Sequence, residues 1–114
     1  MRKKFTFKEM PTSDVAKNYA DKQLSRIEDY LKHEPTPIDI EIVFTQGRTH
    51  AHHHVDLLVR TPHYKLITSY EGPEMYDGID EVIDTMYRRL LEEKDKRVQD
   101  RKMVGRHDDF KKQR

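Results

Sequence analysis

Four histidines, His50, His52, His53 and His54, crowd into one short run, with His63 following across a turn, and imidazoles at this density suggest metal chemistry first. On an extended strand His52 and His54 share a face, because side chains alternate with a period of two, and two imidazoles so placed could begin a zinc or copper site. Further ligands are wanting: the chain has no cysteine, no His-Glu-x-x-His and no carboxylate trio beside the run. A polar, partly exposed turn explains the same residues. A metal-binding protein or metal-dependent enzyme using the His52/His54 strand is therefore one alternative function and a protein-interaction module, docking through the tail and the overhanging helix, is another; no metal or other cofactor is expected.

Asp77, Asp80 and Asp84 recur at i, i+3 and i+7 and could in principle hold Mg²⁺, although acidic residues at a helix start also complement its dipole. There is no Gly-rich phosphate loop, nucleophile elbow or nucleophilic cysteine, so catalysis is not expected.

The cations offer more. Arg88, Arg89, Lys94, Lys96, Arg97, Arg101 and Lys102 follow one another in the last long helical stretch, and Lys22 and Arg26 join them if the two helices pack side by side. A row of cations on a rigid rod suits phosphate, because arginine can fork onto its oxygens. Pairs such as Glu92 with Lys96 and Glu93 with Arg97 would make the same row a solvated helix held by its own charges. Composition leaves both readings open.

The elements that must position these residues follow from apolar spacing. Met75, Ile79, Val82, Ile83, Met86 and Leu90 form one helical stripe in the stretch from Glu71 to Lys102, with Gly72-Pro73 at its start. Beyond Leu90 the stripe passes to Glu93, Lys94 and Arg97, so the far turns are expected to overhang. Charge divides at the same place: Glu71 to Asp84 holds six acidic residues and no basic one, and Arg88 to Lys102 seven basic and four acidic.

Upstream, Phe5 and Phe7 alternate with polar residues as in a half-buried strand. Ser13 is placed to cap a helix through about His33, whose stripe is Val15, Ala16, Tyr19, Ala20, Leu24, Ile27 and Leu31; Pro35 and Pro37 end it. Ile38, Ile40, Ile42 and Phe44 make the clearest strand. A turn beginning at Gln46-Gly47-Arg48 leads to a third strand through Val55, Leu57 and Val59, and a fourth spans Tyr64 to Tyr70. The predicted fold is α+β, a β-α-β-β-β-α two-layer sandwich with two helices on one face of a four-stranded sheet. Residues 1–104 form this single domain, and 105–114 read as a solvated basic tail.

Of the 114 residues, 34% are hydrophobic and 38% charged, so the core must be thin. Net charge is only +1, yet eleven of the 22 Lys and Arg lie between Arg88 and Arg114. The basic field is local. Neither a signal peptide nor a membrane span is visible, which points to the cytoplasm with no membrane partner.

The run EGPEMYDGIDEVIDTMYRRLLEEKDK, with SDVAKNYADKQLSRIEDYL before it, resembles the ribosome hibernation-promoting factor family, also called ribosome-associated translation inhibitors. Glu71, Gly72, Met75, Tyr76, Ile79, Asp80, Asp84, Arg88, Leu90, Lys94 and Lys96 carry the resemblance, with Ser13, Tyr19, Arg26, Glu28 and Tyr30 matching more loosely. It implies a short-form member that binds the small ribosomal subunit and whole ribosomes near the decoding region, and blocks messenger and transfer RNA there. Contact with rRNA is implied for Arg88, Lys94 and Lys96. A helper protein in ribosome pairing is a further partner the resemblance admits, and the free protein is expected to be a monomer. Glu92, Glu93 and the histidine run depart from the family pattern.

Overall fold

The alternation of Ile38, Ile40, Ile42 and Phe44 produces the central inward face of a four-stranded sheet, with all four side chains buried. The computed structural model describes residues 1–46 and 52–105, residues 95–105 by backbone alone. Its elements are β1 (Arg2–Lys8), α1 (Asp14–Leu31), β2 (Asp39–Gln46), β3 (His53–Arg60), β4 (Lys65–Gly72) and α2 (Met75–Gly105).

Strand order is β1-β2-β3-β4. The first pair is parallel, as the helical crossover through α1 requires, and the later pairs are antiparallel, as their short connections allow. Register aligns Phe7, Phe44, Val55 and Tyr70 across the sheet on its inward side. Phe7 stacks on Phe44 with ring centroids 4.6 Å apart.

Both helices cover that side. Ala16, Ala20, Leu24, Ile27 and Leu31 of α1 and Ile79, Val82, Ile83, Met86 and Leu90 of α2 join one buried cluster with the strands. Ser13 caps α1, its Oγ accepting from the Ala16 amide at 3.2 Å. The buried Thr68 hydroxyl donates to the Val82 carbonyl at 2.9 Å, tying β4 to α2.

Structure and expectation differ at both ends of α2, at the end of α1, which stops at Leu31 rather than about His33, and at one position of the α1 stripe. Glu71 and Gly72 belong to β4 rather than to the last helix, which starts at Met75, because both pair with His54 and His53. Val15 stands 69% exposed at the margin of its stripe. At the other end α2 runs on to include Gly105, and the remainder of the expected tail, 106–114, lies outside the described residues, as do His50 and Gly47-Arg48. Among the described residues no helix is long and apolar enough to cross a membrane.

Candidate nucleic-acid interface

The helices run parallel, because each follows an upward strand and returns along the same sheet face; Tyr19 thus meets Asp80, Arg26 meets Asp84 and Tyr30 meets Leu90. This seam positions the expected cations. Tyr19 and Gln23 both donate to Asp80, at 2.8 and 3.0 Å. The carboxylate raises the Tyr19 pKa above its usual value, chiefly by accepting that hydrogen bond and secondarily through burial. Tyr19 also meets Tyr76 edge-on, and Tyr30 meets Tyr87 likewise.

A shallow groove of about 360 Å³ opens along the seam, lined by Lys22, Gln23, Ser25, Arg26, Asp80, Ile83 and Asp84. Lys22 is exposed at its edge. Arg26 is not free within it: Nη2 donates to Asp84 Oδ1 at 2.6 Å and the guanidinium lies 4.5 Å from the Tyr87 ring centroid. Asp80 and Asp84 are thus engaged by α1 side chains, a role that the i, i+3, i+7 spacing did not reveal.

Arg88, Arg89 and Lys94 are exposed along α2. Arg89 curls back, Nη1 donating to the Ile67 carbonyl of β4 at 2.9 Å. Lys94 Nζ sits 5.9 Å from the Tyr30 ring centroid, within reach of a cation–π attraction. Arg88 makes no ion pair among the described residues. Lys96, Arg97, Arg101 and Lys102 lie on the continuing helix, where only the backbone is described. The expected pairs of Glu92 with Lys96 and Glu93 with Arg97 therefore fall outside the described side chains.

Leu90 is the last buried residue described on α2, and 15 further residues at 1.5 Å each carry the helix about 20 Å past it. At the opposite end Glu71, Glu74 and Asp77 are exposed around the helix start, a charge that repels phosphate. The exposed cations described on α2, Arg88, Arg89 and Lys94, lie away from this acidic start.

The histidines are dispersed. His52 precedes β3 and is exposed, His54 Nε2 lies 2.8 Å from Asp56 Oδ1, and His53 Nδ1 is buried on the inward side without a hydrogen-bond partner among the described residues. No cluster of three or more His, Asp or Glu that could hold a metal ion occurs among the described residues.

Residues 4–98 match the model of a family described as sigma 54 modulation protein / S30EA ribosomal protein. A ribosomal subunit interface protein from Coxiella burnetii superimposes with a TM-score of 0.66 at 21% identity, over 82% of this chain and 98% of that one. The N-terminal domain of Protein Y from Thermus thermophilus does so with a TM-score of 0.64 at 17% identity, over 76% and 91% of the two chains. At such identities these two likenesses concern the fold. No curated protein sequence matches.

Proposed function

Because the chain belongs to the sigma 54 modulation protein / S30EA ribosomal protein family, we propose that it is a ribosome-associated translation inhibitor, a hibernation factor acting in the cytoplasm. It binds the small subunit through rRNA phosphates and blocks messenger and transfer RNA by occupying their place near the decoding region. No reaction is catalysed; affinity comes from phosphate contacts and the effect from bulk.

The observation that carries this reading is the set of exposed cations Arg88, Arg89 and Lys94 on α2, whose helix continues through Lys96, Arg97, Arg101 and Lys102 past Leu90, the last residue described as buried. A cationic helix held at its root by the sheet can enter an RNA groove without unfolding that root. Lys22 supports it from α1, while Arg26 approaches phosphate already paired with Asp84. The acidic start of α2 gives the helix a direction: only its far half faces the backbone of RNA.

The test is co-sedimentation of the Arg88→Glu, Lys94→Glu, Lys96→Glu triple variant with small subunits and whole ribosomes. Binding is expected to be lost, while Tm moves by no more than a few degrees, since surface changes of this kind alter stability by about 0.5 kcal/mol each. Unaltered co-sedimentation would overturn the proposal.

A further inference from the structure

The side of the sheet opposite the helices carries a second cationic surface. Register places Arg2, Asp39, Arg60 and Lys65 in one row across the four strands, and Lys4, Glu41, Leu58 and Ile67 in the next. The far rows hold Thr6, Val43, Asp56 and Ser69, then Lys8, Thr45, His54 and Glu71. With histidine neutral, four cations face two acids in the first two rows, and one cation faces two acids in the last two. The face is polarised along the strands.

The polarised end is not internally balanced. Arg2 Nε takes Asp39 Oδ1 at 2.9 Å and Glu41 accepts from the Thr6 hydroxyl at 3.0 Å. Arg60 and Lys65 are left directly opposite each other, both exposed and without an ion pair among the described residues. Like charges directly opposite across a strand pair are destabilising, so the fold alone gives no reason to hold them there. Beside them is a groove of about 450 Å³, lined by Arg2, Lys4, Asp39, Glu41, Leu58 and Arg60 among others.

This end also lies where α2 departs. Moving back along β4 from Thr68 to Ile67 corresponds to moving forward on α2 from Val82 to Arg89, so the helix passes Lys65 as it leaves the sheet. Arg89 bridges the two surfaces around the β4 edge. Arg89 of the arm and Lys65 of the open face therefore lie near the same end of β4.

We infer that the sheet end bearing Arg2, Lys4, Arg60 and Lys65 is a second phosphate-binding surface, which takes a separate backbone segment of the RNA held by α2. Charge complementarity selects the occupant: a polyanion supplies the counter-charge that Arg60 and Lys65 lack, and Leu58 and the half-exposed Ile67 beside them leave room for a sugar edge. The inference rests on the proposed RNA-binding role of the α2 arm and extends it to the other layer.

The experiment measures binding of the full chain to purified small subunits and to naked small-subunit rRNA across a salt series. Three variants are compared: Arg60→Gln/Lys65→Gln, a control of equal charge change, Lys8→Gln/Lys32→Gln, and the arm variant Arg88→Glu/Lys94→Glu. The sheet variant is expected to bind both targets about tenfold more weakly at low salt, with the slope of log K against log salt reduced by about 2, one per lost phosphate contact. Its Tm stays level or rises, and the control binds as wild type. Unchanged affinity and slope in the sheet variant overturn the inference; if the arm variant has lost binding, the arm reading survives, and if it has not, that reading fails as well. Weaker binding to subunits with unchanged binding to naked rRNA also overturns it, by assigning the surface to an acidic protein instead.

Discussion

Arg26 on α1 and Asp84 on α2 face each other across the helix seam at 2.6 Å, with the guanidinium lying over Tyr87. A cation that matches the family pattern is thus neutralised in the free protein by a carboxylate on the very helix expected to meet RNA. The pair is half-exposed, at 49% and 60%, so its contribution to stability is less than about 1 kcal/mol. Its larger consequence is for binding.

Asp84→Asn should release the Arg26 charge and remove a repulsive group from the groove. RNA affinity, measured by fluorescence anisotropy at low salt, is expected to rise about threefold, and the gain to vanish near 1 M salt, where the Debye length falls to about 3 Å. Weaker binding would show instead that the carboxylate aims the guanidinium.

The contacts of α1 with its neighbours also have a pH signature. Tyr19 has its pKa raised above 10.0 by Asp80, and Lys3 above 10.5, chiefly by Asp21. Groups with raised folded values stabilise fully below the unfolded pKa and lose that stabilisation as pH climbs through the folded one. Tyr19→Phe is therefore expected to lower Tm at neutral pH by a few degrees, the effect of one hydrogen bond of about 1 kcal/mol. The difference from wild type should shrink as pH rises past 10.0. A difference that is constant to high pH would remove Asp80 from the account.

Gly78 makes a separate prediction. A Cβ there would lie 2.7 Å from Tyr70 Cε1, and one at Gly72 2.7 Å from Tyr70 Cζ, so two glycines cradle one ring at the β4–α2 corner. Gly78→Ala gains helix propensity of up to ~1 kcal/mol, but the overpacking costs ~1–3 kcal/mol, so a net loss is expected. In a thermal double-mutant cycle the penalty should disappear in a Tyr70→Leu background. A stabilised single variant would mean that the ring moves aside freely.

How far these features could be read in advance depends on their range. The strands of Phe5, Ile40 and Val55 and the stripe from Ile79 to Leu90 announce themselves, because burial on one side imposes a period that local sequence must carry. The inward face of β4 does not: Leu66, Thr68, Tyr70 and Gly72 include a hydroxyl and a glycine, and what qualifies them is a carbonyl on α2 and a neighbouring ring. Arg26 and Asp84 are 58 positions apart, and only the parallel setting of the helices brings them together. The same holds for Arg60 and Lys65, whose opposition depends on the β3–β4 register. Asp80 and Asp84 showed as a run of acids, but their donors on α1 were invisible until the helices were set side by side.

Glu92 and Glu93 decide between the two accounts of the α2 cations. Both sit just past Leu90, Glu92 exposed and Glu93 partly so, between Arg89 and Lys94. If the row exists to grip phosphate, these carboxylates weaken it, and Glu92→Gln/Glu93→Gln should bind small subunits more tightly, by roughly tenfold at 50 mM salt and progressively less as salt screens the repulsion. If instead they brace Lys96 and Arg97 at i+4, their loss should reduce helicity, each pair contributing about 0.2–0.5 kcal/mol to the helix. Circular dichroism and the salt series separate the outcomes, because repulsion predicts tighter binding at unchanged helicity and bracing predicts frayed turns with no gain. The first is the expected result: the two carboxylates place negative charge beside Arg88, Arg89 and Lys94, where phosphate must approach, so their removal lowers the repulsion at the contact itself.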